Sequence, residues 1–232
     1  WSLPPGLGVQ AFLNGPGGQQ LILPLPSGYQ SGWAQGINDA GVVVGSVAVG
    51  GFPEFGVPAA WWPDGLGGYD VELLDLLPGF SQGVAYDVNN RGDIVGVSIL
   101  SGFQGGPSTW FNAPGGPLNI ALLGAPASPK QVNDGGIVVG ISGDLFDLDT
   151  LTSTPLPAFT GSFSGFQGWA INDVGEVAGK GFHGSLVSAS SWSVTEGWDS
   201  HSQLFSSSAS VQAFDINDAG VVVLEAPTPA VA

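Results

Sequence analysis

The sequence has no cysteine and no methionine, and its only cations are Arg91, Lys130 and Lys180. Without cysteine there are no disulfides, no thiol chemistry and no thiolate-bound metal. Three cations against 19 acids give a formal net charge of −16. Such a chain repels phosphate backbones and lacks the basic stripe of a nucleic-acid binder, so nucleic acid is not an expected partner. Anionic membrane surfaces are disfavoured on the same ground. No stretch reaches the roughly 18 apolar residues of a membrane-spanning helix, so membrane insertion is not expected. Charged residues make up only 9% of the chain, which leaves sheet edges little charge to protect them. The missing initiator Met fits a processed chain that has lost a signal peptide and equally a fragment of something longer, and the low Lys content, the abundance of Gly, Ser and Asn and the absence of Cys point to an exported bacterial surface protein.

What the chain does have is apolar residues and turns. The hydrophobic fraction is 43%, enough for a sizeable core, and 39 Gly and 18 Pro punctuate it without a period of three. One phrase recurs five times: Ile37-Asn38-Asp39-Ala40-Gly41, Val88-Asn89-Asn90-Arg91-Gly92, Val132-Asn133-Asp134-Gly135-Gly136, Ile171-Asn172-Asp173-Val174-Gly175 and Ile216-Asn217-Asp218-Ala219-Gly220. The steps between the Asn residues are 51, 44, 39 and 45, the spacing of propeller blades. Asn and Asp bond their own backbone and Gly takes a positive φ, so each phrase predicts a hairpin turn, with the Asp side chain in an Asx-type bond.

Short apolar runs flank each turn. The run before it is a first strand (33–38, 84–89, 130–133, 168–172, 211–217). The run after it is a second (42–47, 93–99, 137–141, 176–181, 221–224). A third strand carries aromatics at Ala59-Ala60-Trp61-Trp62, Ser108-Thr109-Trp110-Phe111 and Ser190-Ser191-Trp192-Ser193. A fourth follows at 71–77, 118–123 and 203–205. In the third repeat, which is degenerate, 144–147 and 154–159 must serve as third and fourth strands. No segment has a helical stripe. The chain opens with a third and a fourth strand (9–15, 20–25) and closes with a first and a second. Pairing them completes one blade. The predicted fold is therefore an all-β, five-bladed β-propeller of four-stranded antiparallel blades over residues 1–224, closed by its two ends, with 225–232 as a Pro/Ala-rich tail or linker.

Gly36-Ile37-Asn38-Asp39-Ala40-Gly41-Val42-Val43-Val44-Gly45-Ser46 resembles the core of the HAF repeat, found in extracellular bacterial proteins. Gln10-Ala11-Phe12-Leu13 is similar to the His-Ala-Phe segment of that repeat, with Gln in place of His, and Trp61-Trp62 and Trp110-Phe111 resemble its aromatic strand. The resemblance implies repeat architecture and a secreted or cell-surface location, and it brings no catalytic residues. Asn90 stands where the other turns have Asp, and Leu224 where the other repeats have Gly45, Gly96, Gly140 and Gly179.

The sequence offers few chemical constellations. His183 and His201 are the only histidines, and neither lies beside a nucleophile elbow. A glycosidase needs two carboxylates around one pocket. Asp87 and Asp215, each two residues before a repeated Asn, are the candidates; Gln35, Gln131 and Ala170 stand at or near that position elsewhere. Asp144, Asp147 and Asp149 are spaced for weak Ca²⁺ binding; no other cofactor is expected. Trp33, Trp61, Trp62, Trp110, Trp169 and Trp192 recur in the repeats as inter-blade packing. Trp61 and its neighbour Trp62 must face opposite sides of one strand. Phe52, Phe55, Phe80 and Phe103 lie in Gly/Pro loops, which with Trp62 makes them the expected contact surface. The expected function is non-catalytic: a surface module for protein assembly or adhesion, a structural subunit or decoration of a larger structure or filament, with another protein or itself as partner. A lectin-like, glycan-binding propeller is the alternative, and a glycoside hydrolase a third.

Overall fold

The computed structural model describes residues 8–15, 18–50, 56–100, 106–157, 165–183, 186–201 and 211–225. Phe52, Phe55, Phe103, the predicted strand 203–205 and residues 226–232 of the tail lie outside them. The described residues are all-β apart from one 3-10 turn at Ile120–Leu123. Among them no helix is long and apolar enough to cross a membrane. The chain forms two compact units, Trp1–Leu122 and Leu123–Ala232.

The first unit holds a hairpin and two four-stranded antiparallel sheets, each strand paired with its neighbour in sequence. The hairpin is β1 (Phe12–Asn14) and β2 (Gln20–Ile22). The first sheet is β3 (Ser31–Ile37), β4 (Val43–Ala48), β5 (Val57–Pro63) and β6 (Tyr69–Leu73). The second is β7 (Gln82–Val88), β8 (Ile94–Ile99), β9 (Ser108–Trp110) and β10 (Leu118–Asn119). The second unit mirrors this order. It has a sheet of β11 (Pro129–Val132), β12 (Ile137–Gly140), β13 (Leu145–Asp147) and β14 (Thr152–Thr154). Next comes a sheet of β15 (Gly165–Ile171), β16 (Val177–His183), β17 (Leu186–Ser193) and β18 (Gly197–Ser200). A last hairpin, β19 (Gln212–Ile216) and β20 (Val222–Glu225), follows.

Four-stranded antiparallel sheets made of consecutive strands are as the repeats predict. The fourth strands differ. In the second repeat β10 stops at Asn119, and the Asn119 side chain accepts the N–H of Leu122, so the chain coils into the 3-10 turn where a strand to 123 was expected. In the third repeat the fourth strand is Thr152–Thr154, before the expected 154–159. In the fourth repeat the tight turn at 194–196 brings Gly197–Ser200 back onto β17, so the fourth strand also precedes the expected 203–205.

Each repeated phrase is a three-residue hairpin loop. The Gly closing it donates to the Asn carbonyl at 2.9–3.1 Å and has φ between 73° and 88°. A side chain at that φ is strained, hence the Gly. One β-bulge interrupts every first strand three residues before the Asn, so that the strand register skips Gln35, Tyr86, Lys130, Trp169 and Phe214. In three repeats the second strand carries Gly where the bulged strand comes closest. A Cβ on Gly45, Gly96 or Gly179 would overlap the carbonyl oxygen of Trp33, Val84 or Gln167, where the bulged backbone folds over. Leu224 takes this position in the last hairpin, half-buried on a cluster of small residues.

The cores lie between successive sheets. Leu23 packs with Val43, Val47, Ala59 and Trp61 under the first hairpin. Val44, Ala60 and Leu74 meet Ala85, Ile94 and Phe111 between the first two sheets. In the second unit Val139 meets Ile171 and Val177, and Ala170, Ala178 and Ala189 meet Ala213 and Ile216.

Candidate functional site

The turn residues join one repeat to the next. Each Asn keeps its Oδ1 for its own turn, accepting the N–H four residues on at 2.8–2.9 Å. The Nδ2 of Asn38, Asn133 and Asn172 donates to the carbonyl of the next turn's Asn (Asn89, Asn172 and Asn217) at 2.9–3.0 Å. In parallel, the N–H of Asp39, Asp134 and Asp173 donates to the side chain of Asn90, Asp173 and Asp218 at 2.7–2.9 Å. The bond inside each turn therefore belongs to Asn. The carboxylates of Asp173 and Asp218 instead reach back to the preceding turn. Asn is required because one side chain must both accept and donate.

Asp147 accepts the N–H groups of Asp149 and Thr150, so it shapes the turn after β13. Asp144 is half-buried and Asp149 exposed, and among the described residues no three His, Asp or Glu side chains are grouped to hold a metal. Asp87 is half-buried in the first unit, beside Gly36. Asp215 is exposed in the second, its Oδ1 taking the N–H of Ile216.

The aromatics divide by strand face. Trp61 is fully buried and its Nε1 donates to Pro24 at 2.7 Å. Trp62 is half-buried and its Nε1 donates to Glu72 at 3.0 Å. Phe80 is half-buried. Trp61 pairs with Val43, and Trp192 with Val177, each five residues after its turn Asn. In the second sheet that place belongs to Phe111, which donates to Ile94; Trp110 lies one residue earlier and so on the other face. In the third sheet it belongs to Phe146, opposite Val138, so the degenerate repeat keeps its aromatic. Phe12 is the first hairpin's counterpart. It stands three residues before a Gly15–Gln19 backbone bond as Trp61 stands three before Asp64–Gly68. Trp61, Phe111 and Phe146 are 0–3% exposed, whereas Phe12 is 58% exposed.

Two features of the second unit were not legible from the repeats. One is a cavity of about 300 Å³ lined by Glu176, Ser191, Trp192, Asp199, His201 and Ile216, among others. Ser191 and Asp199 are cross-strand partners, and His201 is two residues further along, so all three share a face. Ser191 Oγ lies 3.0 Å from His201 Nε2, and His201 Nδ1 lies 3.6 Å from Asp199 Oδ2. The residues run in the order nucleophile, base, acid. Yet Ser191 sits mid-strand with β16 on one side and β18 on the other, so neighbouring N–H groups serve the ladders. Acyl transfer needs free N–H donors aimed at the serine, and a strand paired on both edges commits its own to the ladders.

The other feature is a row built from the bulges. Lys130 Nζ stands 5.1 Å from the centre of the Trp169 ring, and the Phe214 ring meets Trp169 edge-on at 5.8 Å. These are the bulge residues of three successive first strands. Lys180 Nζ, from the second strand β16, lies 4.4 Å from the same Trp169 ring. Burial, and secondarily the Lys180 charge, pull the Lys130 ammonium below its ordinary pKa of 10.5. The one sequence signal for this row is that the only two lysines of the chain, at the start of β11 and in the middle of β16, fall in successive repeats.

No protein-family model, no curated protein and no solved structure matches the chain.

Proposed function

We propose that this chain is a non-catalytic, extracellular structural module, a HAF-like five-bladed propeller whose terminal hairpins complete one another. One observation carries the proposal. β1 and β2 correspond to third and fourth strands, β19 and β20 to first and second strands, and each hairpin exposes what a complete sheet buries. Phe12 is exposed where its counterparts are covered, as are Val221 and Val223 against Val42 and Val44. The cavity beside Ser191 supports the same reading. Ala60, the counterpart of Ser191, shares its core with Phe111 from the next sheet's third strand. Among the described residues β19–β20 has no third strand of its own, and Phe12 is an aromatic suited to fill that place. Open strand edges invite pairing, and ring closure removes them.

The chain has no cysteine, so Ala11→Cys with Val223→Cys supplies its only two thiols. The register Val44 to Ala60 in the first sheet places these two opposite one another, in the widely spaced pair where side chains approach closest. Oxidation is expected to give an intramolecular disulfide in a monomer and a raised Tm. Disulfide-linked oligomers would mean that the hairpins pair between copies, and no disulfide would end the closure reading.

Assembly or adhesion would use exposed apolar tips. Leu66 is 93% exposed in the turn after β5, and Val194 is 82% exposed in the turn after β17. Concentration-dependent sedimentation, diminished by Leu66→Ser with Val194→Ser, is the expected result; a strict monomer at high concentration argues against assembly. A lectin-like role draws support from Trp62, a half-buried indole beside Glu72. Glycan-array binding lost in Trp62→Ala would favour it.

A further inference from the structure

We propose that Lys180 and Lys130, gathered at Trp169, form a binding site for a small oxyanion, carboxylate or sulfate. The chain carries −16 net charge and 19 acids, yet two of its three cations meet at one indole. Lys180 is half-buried, and no carboxylate stands within ion-pair distance of it among the described residues. A buried charge without a counter-ion is costly. One cation–π contact contributes about 0.5–1 kcal/mol, and a second ammonium beside the first adds repulsion. The same indole has a second unmet need, since its Nε1 is buried with no acceptor. Lysine charge and an unsatisfied N–H are both met by an anion with more than one oxygen.

The site is not a general attraction for anions, because the rest of the protein repels them. Selectivity would come from the groups gathered there: two ammonium groups at the Trp169 ring, which the Phe214 ring meets edge to face. Rings of this kind also suit the apolar face of a sugar, so a uronate would satisfy both components. The site is independent of ring closure, since all four side chains belong to the second unit.

The test is titration of the intact protein with sodium sulfate, acetate and glucuronate, against sodium chloride at matched ionic strength. Tryptophan fluorescence and Tm are the readouts. A saturable fluorescence change and a Tm rise that follows ligand occupancy are expected, at least tenfold weaker in Lys180→Gln and retained in Lys180→Arg. Glucuronate binding tighter than acetate would identify an acidic saccharide, and equal binding a simple anion. No saturable response, or the same response in Lys180→Gln, would overturn the proposal. Lys180 is half-buried, so a Tm of the unliganded variant near wild type guards against misfolding as the cause.

Discussion

Two hairpins of this protein share eight identical residues, Ile37-Asn38-Asp39-Ala40-Gly41-Val42-Val43-Val44 and Ile216-Asn217-Asp218-Ala219-Gly220-Val221-Val222-Val223. Their turns make the same bonds: the Asn Oδ1 takes the fourth N–H at 2.9 Å in both, and both Gly residues close the loop. Both first strands bulge at the same place. Their surroundings differ. Val42 and Val44 are 7% and 0% exposed, Val221 and Val223 60% and 58%. The local structure follows the sequence, and the burial follows the neighbours. A hydrophobic side chain contributes stability only where another surface covers it.

Four measurements would sharpen or break this comparison. The largest effect is expected from Gly45→Ala, which drives a methyl group into the Trp33 carbonyl oxygen. It should cost at least about 3 kcal/mol in chemical denaturation, since the obstacle is backbone and cannot rotate away. A variant of wild-type stability would show that the backbone at Gly45 gives way to a side chain as it does at Leu224, the equivalent place in the last hairpin.

Next come the matched valines. Val44→Ala should cost about 2 kcal/mol. Under the proposed closure Val223→Ala approaches the same value. A cost below about 0.5 kcal/mol, usual for an exposed site, leaves the last hairpin uncovered and breaks the closure reading.

The third is Asn133→Asp. The acceptor for the Ile137 N–H survives, but the donor to the Asn172 carbonyl is lost and a carboxylate faces that oxygen. Thermal unfolding should show a loss of about 1–3 kcal/mol. An unchanged Tm would mean that the bonds between turns add little beyond the turns themselves.

The smallest concerns pH. Lys130 has its pKa lowered in the folded protein, by burial first and by Lys180 second. Between that lowered value and the ordinary 10.5 the unfolded chain binds more protons than the native one. Stability therefore rises with pH across that window, and the cost of charging Lys130 is present below it. Lys130→Gln should raise Tm modestly at neutral pH and lose that advantage as pH passes 10.5. A Tm difference that does not change with pH would remove the charge as its cause.

Much of the architecture was legible because it rests on local chemistry. Asn-Asp-x-Gly demands a particular turn, β-branched runs on either side demand strands, and the distances between phrases count the repeats. Edges of fourth strands were not legible. Gly197–Ser200 and Thr152–Thr154 are short, polar and held by pairing to β17 and β13, which no local pattern announces. The aromatic positions were only half legible. Trp110 and Trp61 look equivalent in sequence, but register separates them and puts Phe111 and Phe146 in the buried place.

By itself, then, the sequence determined turns, strand order, repeat count and the absence of thiol chemistry, since these depend on residues within a few positions of one another or on composition. Tertiary structure alone decided that the turn Asn residues bond across repeats, that Lys130 and Lys180 converge on Trp169, and that Ser191 and His201 line a cavity. Those contacts join groups up to 51 residues apart along the chain. Strand pairing within a sheet and packing of one sheet on the next bring them within reach, and no local rule encodes either.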